Sequence, residues 1–180
     1  MNAASLVINP ALSPCVFLPP ENVPDVYILV TAEHNKLDDG AFYLKVHPRS
    51  VDLLTRTLNH PLARPENDLG WSGEHAAFAT VIRAIEAEHR GSNTPSGIAW
   101  IPRPWINNHV SKYNLEAIPS SFIVHIADTG GNRQAHMATW LHELRRNQDK
   151  WEISLEDLSS LKADIIEFWS DFAARPIGKD

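Results

Sequence analysis

Apolar residues fall along this chain in short blocks whose spacing alternates between a strand period and a helix period. Leu6-Val7-Ile8 is a brief apolar run stopped by Asn9-Pro10 and predicts a strand. Val26 to Val30, with β-branched and aromatic residues, predicts a second, and Ala41 to Val46 a third. Thr31 to Gly40, between them, reads as a connection too long for a tight hairpin. Ser50 is placed as the cap of a helix whose Val51, Leu54 and Leu58 share one face. Ser72 is placed as the cap of another, with Ala77, Phe78, Val81, Ile82 and Ile85 on its apolar side and Gly91 past its end. Ile98–Ile101 and Phe122–Ala127 complete the strands. Helices follow at about Gln134–Asn147 and Ser154–Phe172. The last carries Leu158, Leu161, Ile165, Phe168 and Phe172 at three- and four-residue steps, with Ser154 and Asp157 at capping spacing.

Short strands alternating with helices predict a layered α/β domain, a mostly buried mixed sheet flanked by helices. No internal boundary is visible, so residues 1–180 are taken as a single domain. The two C-terminal helices are expected to pack together as a lid on one edge.

Composition narrows the function classes. An apolar content of 43% and a charged content of 21% are those of a soluble globular protein. A net charge of −6 with no long basic run argues against a nucleic-acid partner. No apolar run approaches the roughly 20 residues that span a bilayer, and residues 1–18 lack the positive charge of a secretory signal. One cysteine, Cys15, cannot form an internal disulfide. The nine histidines include no HExxH pair, which argues against zinc.

The richest chemistry lies at Val124-His125-Ile126-Ala127-Asp128, followed by Gly130, Gly131 and Arg133. An apolar strand delivers an imidazole just before a glycine turn and a cation. Such a turn suits an anion or a metal-bound diphosphate; it is equally a plain strand-turn-helix connection around a buried histidine. Asp38-Asp39-Gly40 is a solvated turn or a pair of acceptors for sugar hydroxyls. Glu74 and His75 open a helix, where the dipole alone favours a carboxylate. The same carboxylate projecting into a cleft would stabilise cationic charge at a reacting carbon. Trp71, Trp100 and Trp105 are core material or sugar-stacking faces.

Six segments occur in an order that resembles the fungal galactosyltransferase/mannosyltransferase family of GT-A fold. They are Leu6 to Pro10, Phe17 to Pro20, Leu37 to Phe42, Glu74 to Ala77, Pro102 to Asn107 and Val124 to Ala127. The relatives are type II Golgi membrane proteins that transfer a hexose, galactose or mannose, from a nucleotide sugar to a glycan acceptor with retention. The resemblance implies a partial GT-A-like nucleotide-diphospho-sugar transferase fold. This chain would match the C-terminal part, with the N-terminal nucleotide-binding half and the anchor missing. It implies Glu74 and His75 at the transfer centre, and Asp38, Asp39, Gly40, Trp105, Asn107 and Arg133 on the substrate. It implies His125 as the third ligand of a Mn²⁺ whose other ligands are an Asp-x-Asp pair. In this chain that triplet is Asn2-Ala3-Ala4.

Three functions follow as expectations. The first is a glycosyltransferase-like hexosyltransferase, a pseudoenzyme or nearly so, because a lone imidazole holds Mn²⁺ weakly. The second is a non-catalytic partner or binding module, self-associating or docking on a relative through an exposed sheet edge. The third is a glycoside hydrolase using Glu74 with Asp38 or Asp39, which needs two carboxylates about 5–10 Å apart.

Overall fold

The computed structural model describes residues 4–7, 9, 12–23, 25–63, 73–110, 121–126 and 133–175. Among them, two three-stranded mixed sheets are flanked by helices, so the mixed α/β class is as expected. In one sheet β2 (Ile28–Glu33) lies between antiparallel β3 (Lys36–Leu44) and parallel β4 (Ile98–Trp100). In the other, β6 (Ile123–Ile126) lies between antiparallel β1 (Ala4–Val7) and parallel β5 (Asn108–Val110). Helices α1 (Pro48–Ala63) and α2 (Gly73–His89) follow the β2–β3 hairpin, and the short α3 (Arg103–Ile106) joins β4 to β5. The chain closes with α4 (Arg133–Arg146), α5 (Gln148–Trp151) and α6 (Leu155–Ala174). Among the described residues no helix is long and apolar enough to cross a membrane.

β2 is buried on both faces, which explains its continuous apolar run. Leu29 faces a core shared with Phe17, Trp105, Leu161 and Ile165. Its neighbours Ile28 and Val30 face the opposite core, with Leu53, Phe78 and Ile82 from α1 and α2. A third, smaller cluster seats Val124 of β6 against Trp151, with Trp140 and Leu144 beside them. The expected C-terminal lid is therefore divided: α4 and α5 pack on β6, whereas α6 belongs to the Trp105 core. The reason is that α6 carries its own broad stripe of Leu161, Ile165 and Trp169 and needs a larger apolar surface than α4 offers.

Two local expectations are corrected. Thr31 to Gly40 is a tight hairpin after all, because Glu33 pairs with Lys36 and only His34 and Asn35 turn. Both adopt left-handed backbone, φ 49° and 61°, as a two-residue hairpin of the right twist requires. The usual glycine is missing from that turn, which hid it. On α1, Val51 and Leu58 are exposed, at 64% and 78%, and Leu53 is the fully buried residue. The helix starts at Pro48, capped by the His47 imidazole, whose Nδ1 accepts the Arg49 N–H at 3.2 Å. Ser50 is buried inside the first turn and donates to the Lys45 carbonyl at 2.7 Å. Packing against α2 selects the Ser50–Leu53 face, one residue away from the face that periodicity favoured.

Other expectations agree. α2 buries Ala77, Phe78, Val81, Ile82 and Ile85, and Gly91 at φ 77° follows its end. Ser154 caps α6, accepting the Asp157 N–H at 3.0 Å. Arg56 of α1 donates to both carboxylate oxygens of Glu88 on α2, one contact being 3.0 Å. That hydrogen bond lowers the Glu88 carboxyl below its ordinary range. The pair is half exposed, so it contributes little compared with Leu53.

Leu53→Ala is expected to cost about 2–5 kcal/mol, whereas Leu58→Ala on the exposed side stays within about 0.5 kcal/mol. Urea unfolding of the two variants separates them. Tyr43 adds an alkaline signature, because burial pushes its phenol up to about 12. The unfolded phenol ionises near 10, so the stability held by neutral Tyr43 is intact below pH 10 and lost as pH rises towards 12. Tyr43→Phe is expected to flatten that alkaline decline in a series of denaturation midpoints.

Candidate functional site

A break in the β2–β3 ladder builds the site. Leu29 pairs with Tyr43 and Thr31 with Asp38, so two steps along β2 face five along β3. The excess residues, Asp39 to Phe42, leave the ladder as a bulge, a device that re-aims side chains. The bulge carries Gly40 against the other sheet. A Cβ on Gly40 would lie 2.7 Å from Asn107 Oδ1 and 2.9 Å from both Cγ and Nδ1 of His125. Only glycine fits where β3 meets an imidazole and an amide this closely.

His125 reaches that contact through strand alternation. Val124 and Ile126 are buried on the α4–α5 side or its continuation, whereas His125, 8% exposed, faces β3. Asn107 arrives by a different route. It ends α3, where its backbone N–H bonds the Arg103 carbonyl at 2.9 Å and its φ of −146° turns the chain into β5. Its side chain is fully buried and donates through Nδ2 to Thr31 Oγ1 at 3.1 Å. Thr31 in turn donates to the Asp38 carbonyl at 3.2 Å. Asp38 Oδ1 accepts the Gly40 N–H at 3.2 Å, which holds the bulge from its own strand. Asn107 Oδ1 is buried and meets no donor among the described residues.

The solvent-facing edge of this junction is ionic. His75, in the first turn of α2, places Nδ1 2.8 Å from Asp39 Oδ1, with each side chain about a third exposed (33% and 31%). Glu74, beside it, is exposed at the same helix start, where the dipole favours its charge. Arg103 bonds Glu33 at 2.9 Å and ties α3 to the end of β2.

Asp38, Asp39, Gly40, His75, Asn107 and His125 are thus linked by direct contacts across four elements, with Glu74 next in chain to His75. Trp105 is set back in the core. It is 7% exposed, stacks on Phe17 at 5.9 Å and meets Phe168 edge-on. Trp100 donates to Glu86 at 2.6 Å and packs with the α2 core. Arg133 opens α4, and its side chain lies outside the described residues, as do Trp71, Ser72, Asp128, Gly130, Gly131 and the Asn2-Ala3 pair. Thr31 is the member that sequence reasoning missed. Threonine is an ordinary strand residue, and nothing in its neighbours marks it as a relay.

Among the described residues, no three histidine, cysteine or acidic side chains gather to hold a metal ion. Gly40 and the Asn107 amide, which meet at the same point as His125, do not make the oxygen-rich set that Mn²⁺ prefers. No family model matches the chain, and no curated protein or solved structure is detectably similar to it.

Gly40→Ala is expected to destabilise the fold by about 1–3 kcal/mol, because Asn107 or His125 must move. Chemical denaturation gives the cost. The His125 ring resonances should shift while those of His89, at the far end of α2, stay in place.

Proposed function

We propose that this chain is glycosyltransferase-like, with its sugar site at the junction of Gly40, Asn107 and His125, and that transfer by the chain alone is weak or absent. One observation supports the reading above the others. Residues that the resemblance assigns to the donor sugar, the transfer centre and the metal are spread from Asp38 to His125, yet contacts join them.

The chemistry of the junction suits a sugar. Asp39 and Asp38 supply carboxylate acceptors for hydroxyls, and Asn107 supplies an amide beside them. Sugar transfer develops positive charge at the anomeric carbon. Glu74, fixed at a helix start, is the carboxylate that would stabilise it. Asp39 orients the His75 ring, leaving its other nitrogen for a hydroxyl. Ala4, last of the triplet that replaces the Asp-x-Asp pair, stands opposite Ile126, next to His125. Asparagine and alanine in that triplet offer a cation no carboxylate. No step is therefore routed through Mn²⁺. The reading implies a Golgi setting, a nucleotide-sugar donor and a glycan acceptor.

The degenerate triplet together with the bare stripe of Val51, Leu54 and Leu58 on α1 favours a second reading. In it the chain is a non-catalytic module that associates with itself or with an active relative. Light scattering after size-exclusion chromatography tests it, and a monomer at high concentration sinks it.

Incubation with UDP- and GDP-hexoses and Mn²⁺ is expected to give no transfer above background. Titration with the same sugar nucleotides at millimolar levels should shift the His75 and His125 ring resonances, and Glu74→Gln should weaken that binding. Robust turnover would refute the inactivity. Unmoved histidine signals throughout the titration would refute the site.

A further inference from the structure

Two histidines meet one arginine at the junction of α1, α2 and the loop before β4. His47 Nδ1 accepts the Arg49 backbone N–H at 3.2 Å. His89, the last residue of α2, places Nε2 3.3 Å from Arg49 Nη2 and Nδ1 2.8 Å from the Ile85 carbonyl. A carbonyl only accepts and a guanidinium only donates. The His89 ring therefore carries its proton on Nδ1 and offers a bare Nε2 to the arginine. Both histidines are partly exposed, so water reaches them.

Arg49 in turn pins the loop. The same Nη2 donates to the Pro95 carbonyl at 3.2 Å and to the Ser96 carbonyl. Its guanidinium lies 4.7 Å over the Tyr27 ring, on which His47 also stacks with centroids 6.2 Å apart. Gly97, at φ 75°, lets these groups close up, since a Cβ there would meet the Tyr27 ring at 2.6 Å and Arg49 Nη1 at 2.9 Å. The Gly97 carbonyl accepts the Tyr27 N–H at 2.9 Å and the Ile28 N–H at 3.3 Å, where β2 begins. The loop is thus fixed to the central strand on one side and to Arg49 on the other.

We propose that His47, Arg49 and His89 form an acid-released latch on residues 92–97. Imidazole is the side chain that ordinarily changes charge between about pH 8 and 5. A second proton on either ring removes an acceptor from Arg49 and sets a new cation beside it. The helix ends decide which contact breaks. At the C-terminus of α2 the dipole and the Ile85 carbonyl keep a charged His89 ring in place, so Arg49 yields. At the N-terminus of α1 the dipole opposes a charged His47, so the cap is lost. The other charged groups of these elements do not replace the lost acceptors. Arg56 is paired with Glu88 and lies 3.8 Å from Asp52, and Glu86 accepts from Trp100. Asp25 and Lys45 are exposed, Arg90 adds a further cation, and residues 92–97 carry no charge. The latch holds while both rings are neutral and opens as acid charges them. Fourteen residues of α2, about 21 Å of rise, separate His89 from His75, and the inference is independent of the sugar-transfer reading.

Amide hydrogen exchange followed by NMR on the full chain tests it, with rates normalised for the intrinsic effect of pH. Protection of the Tyr27 and Ile28 amides is expected to fall about fivefold or more from about pH 7.5 to pH 5. The Ile82 amide, inside α2, should change less than about twofold, which separates local opening from unfolding of the whole chain. The double variant H47N/H89Q keeps a capping acceptor and a neutral amide that both donates and accepts, and neither side chain titrates. In it the acid-induced loss at Tyr27 and Ile28 should disappear. Ring nitrogen shifts of the unaltered protein near neutral pH should show His89 protonated on Nδ1. The proposal is overturned if His89 carries its proton on Nε2, or if the Tyr27 and Ile28 amides keep their protection in acid. An equal fall at Ile82, or an undiminished fall in H47N/H89Q, overturns it too.

Discussion

The close approach of Gly40 to His125 and Asn107 is the contact on which the arrangement of this protein turns. Two small sheets, each with three strands, share few backbone partners, and β3 reaches β6 only because its ladder with β2 is interrupted. The interruption would splay the hairpin if nothing held it. Asp38 bonds the Gly40 N–H, Thr31 bonds the Asp38 carbonyl, and Asn107 bonds Thr31. These buried bonds each contribute about 1 kcal/mol, and breaking one strands its partner at greater cost. The absent side chain at position 40 then lets an imidazole and an amide close over the backbone.

Burial on both faces of β2 gives that contact its rigidity. Leu29 is locked into the core with Trp105 and α6, and Ile28 and Val30 into the core with α1 and α2. Thr31, next in the strand, is the point where this apolar column ends and polar groups begin. The site therefore grows out of the end of a central strand, with a helix start supplying Glu74 and His75 from one side and the α3 corner supplying Asn107 from another. Carboxylates, amide and imidazole meet at a junction of well-packed elements.

The α3 corner serves two surfaces at once. Asn107 leaves it towards the sheet junction, while Pro102, Pro104 and Trp105 leave it towards α6 and its carboxylates. The prolines limit how far this corner can rearrange, since their backbone is preset and offers no N–H.

Periodicity in the sequence was enough to locate most elements and the buried face of α2, because an amphipathic stripe flanked by caps allows few alternatives. It also marked His125, Asp38, Asp39, Gly40 and Glu74-His75 as polar groups at element ends. It failed where two leucines compete for one helix face, at Leu53 and Leu54, and where His34-Asn35 turned without glycine. Those choices depend on what packs opposite, which local spacing does not encode. The chemistry of single residues was legible, but their meeting was not. Only the three-dimensional fold, through a bulge of unpaired β3 residues, decided that Gly40 touches His125 and that Asp39 holds His75. Chain entropy leaves such distant pairs unspecified until the cores on both faces of β2 have formed.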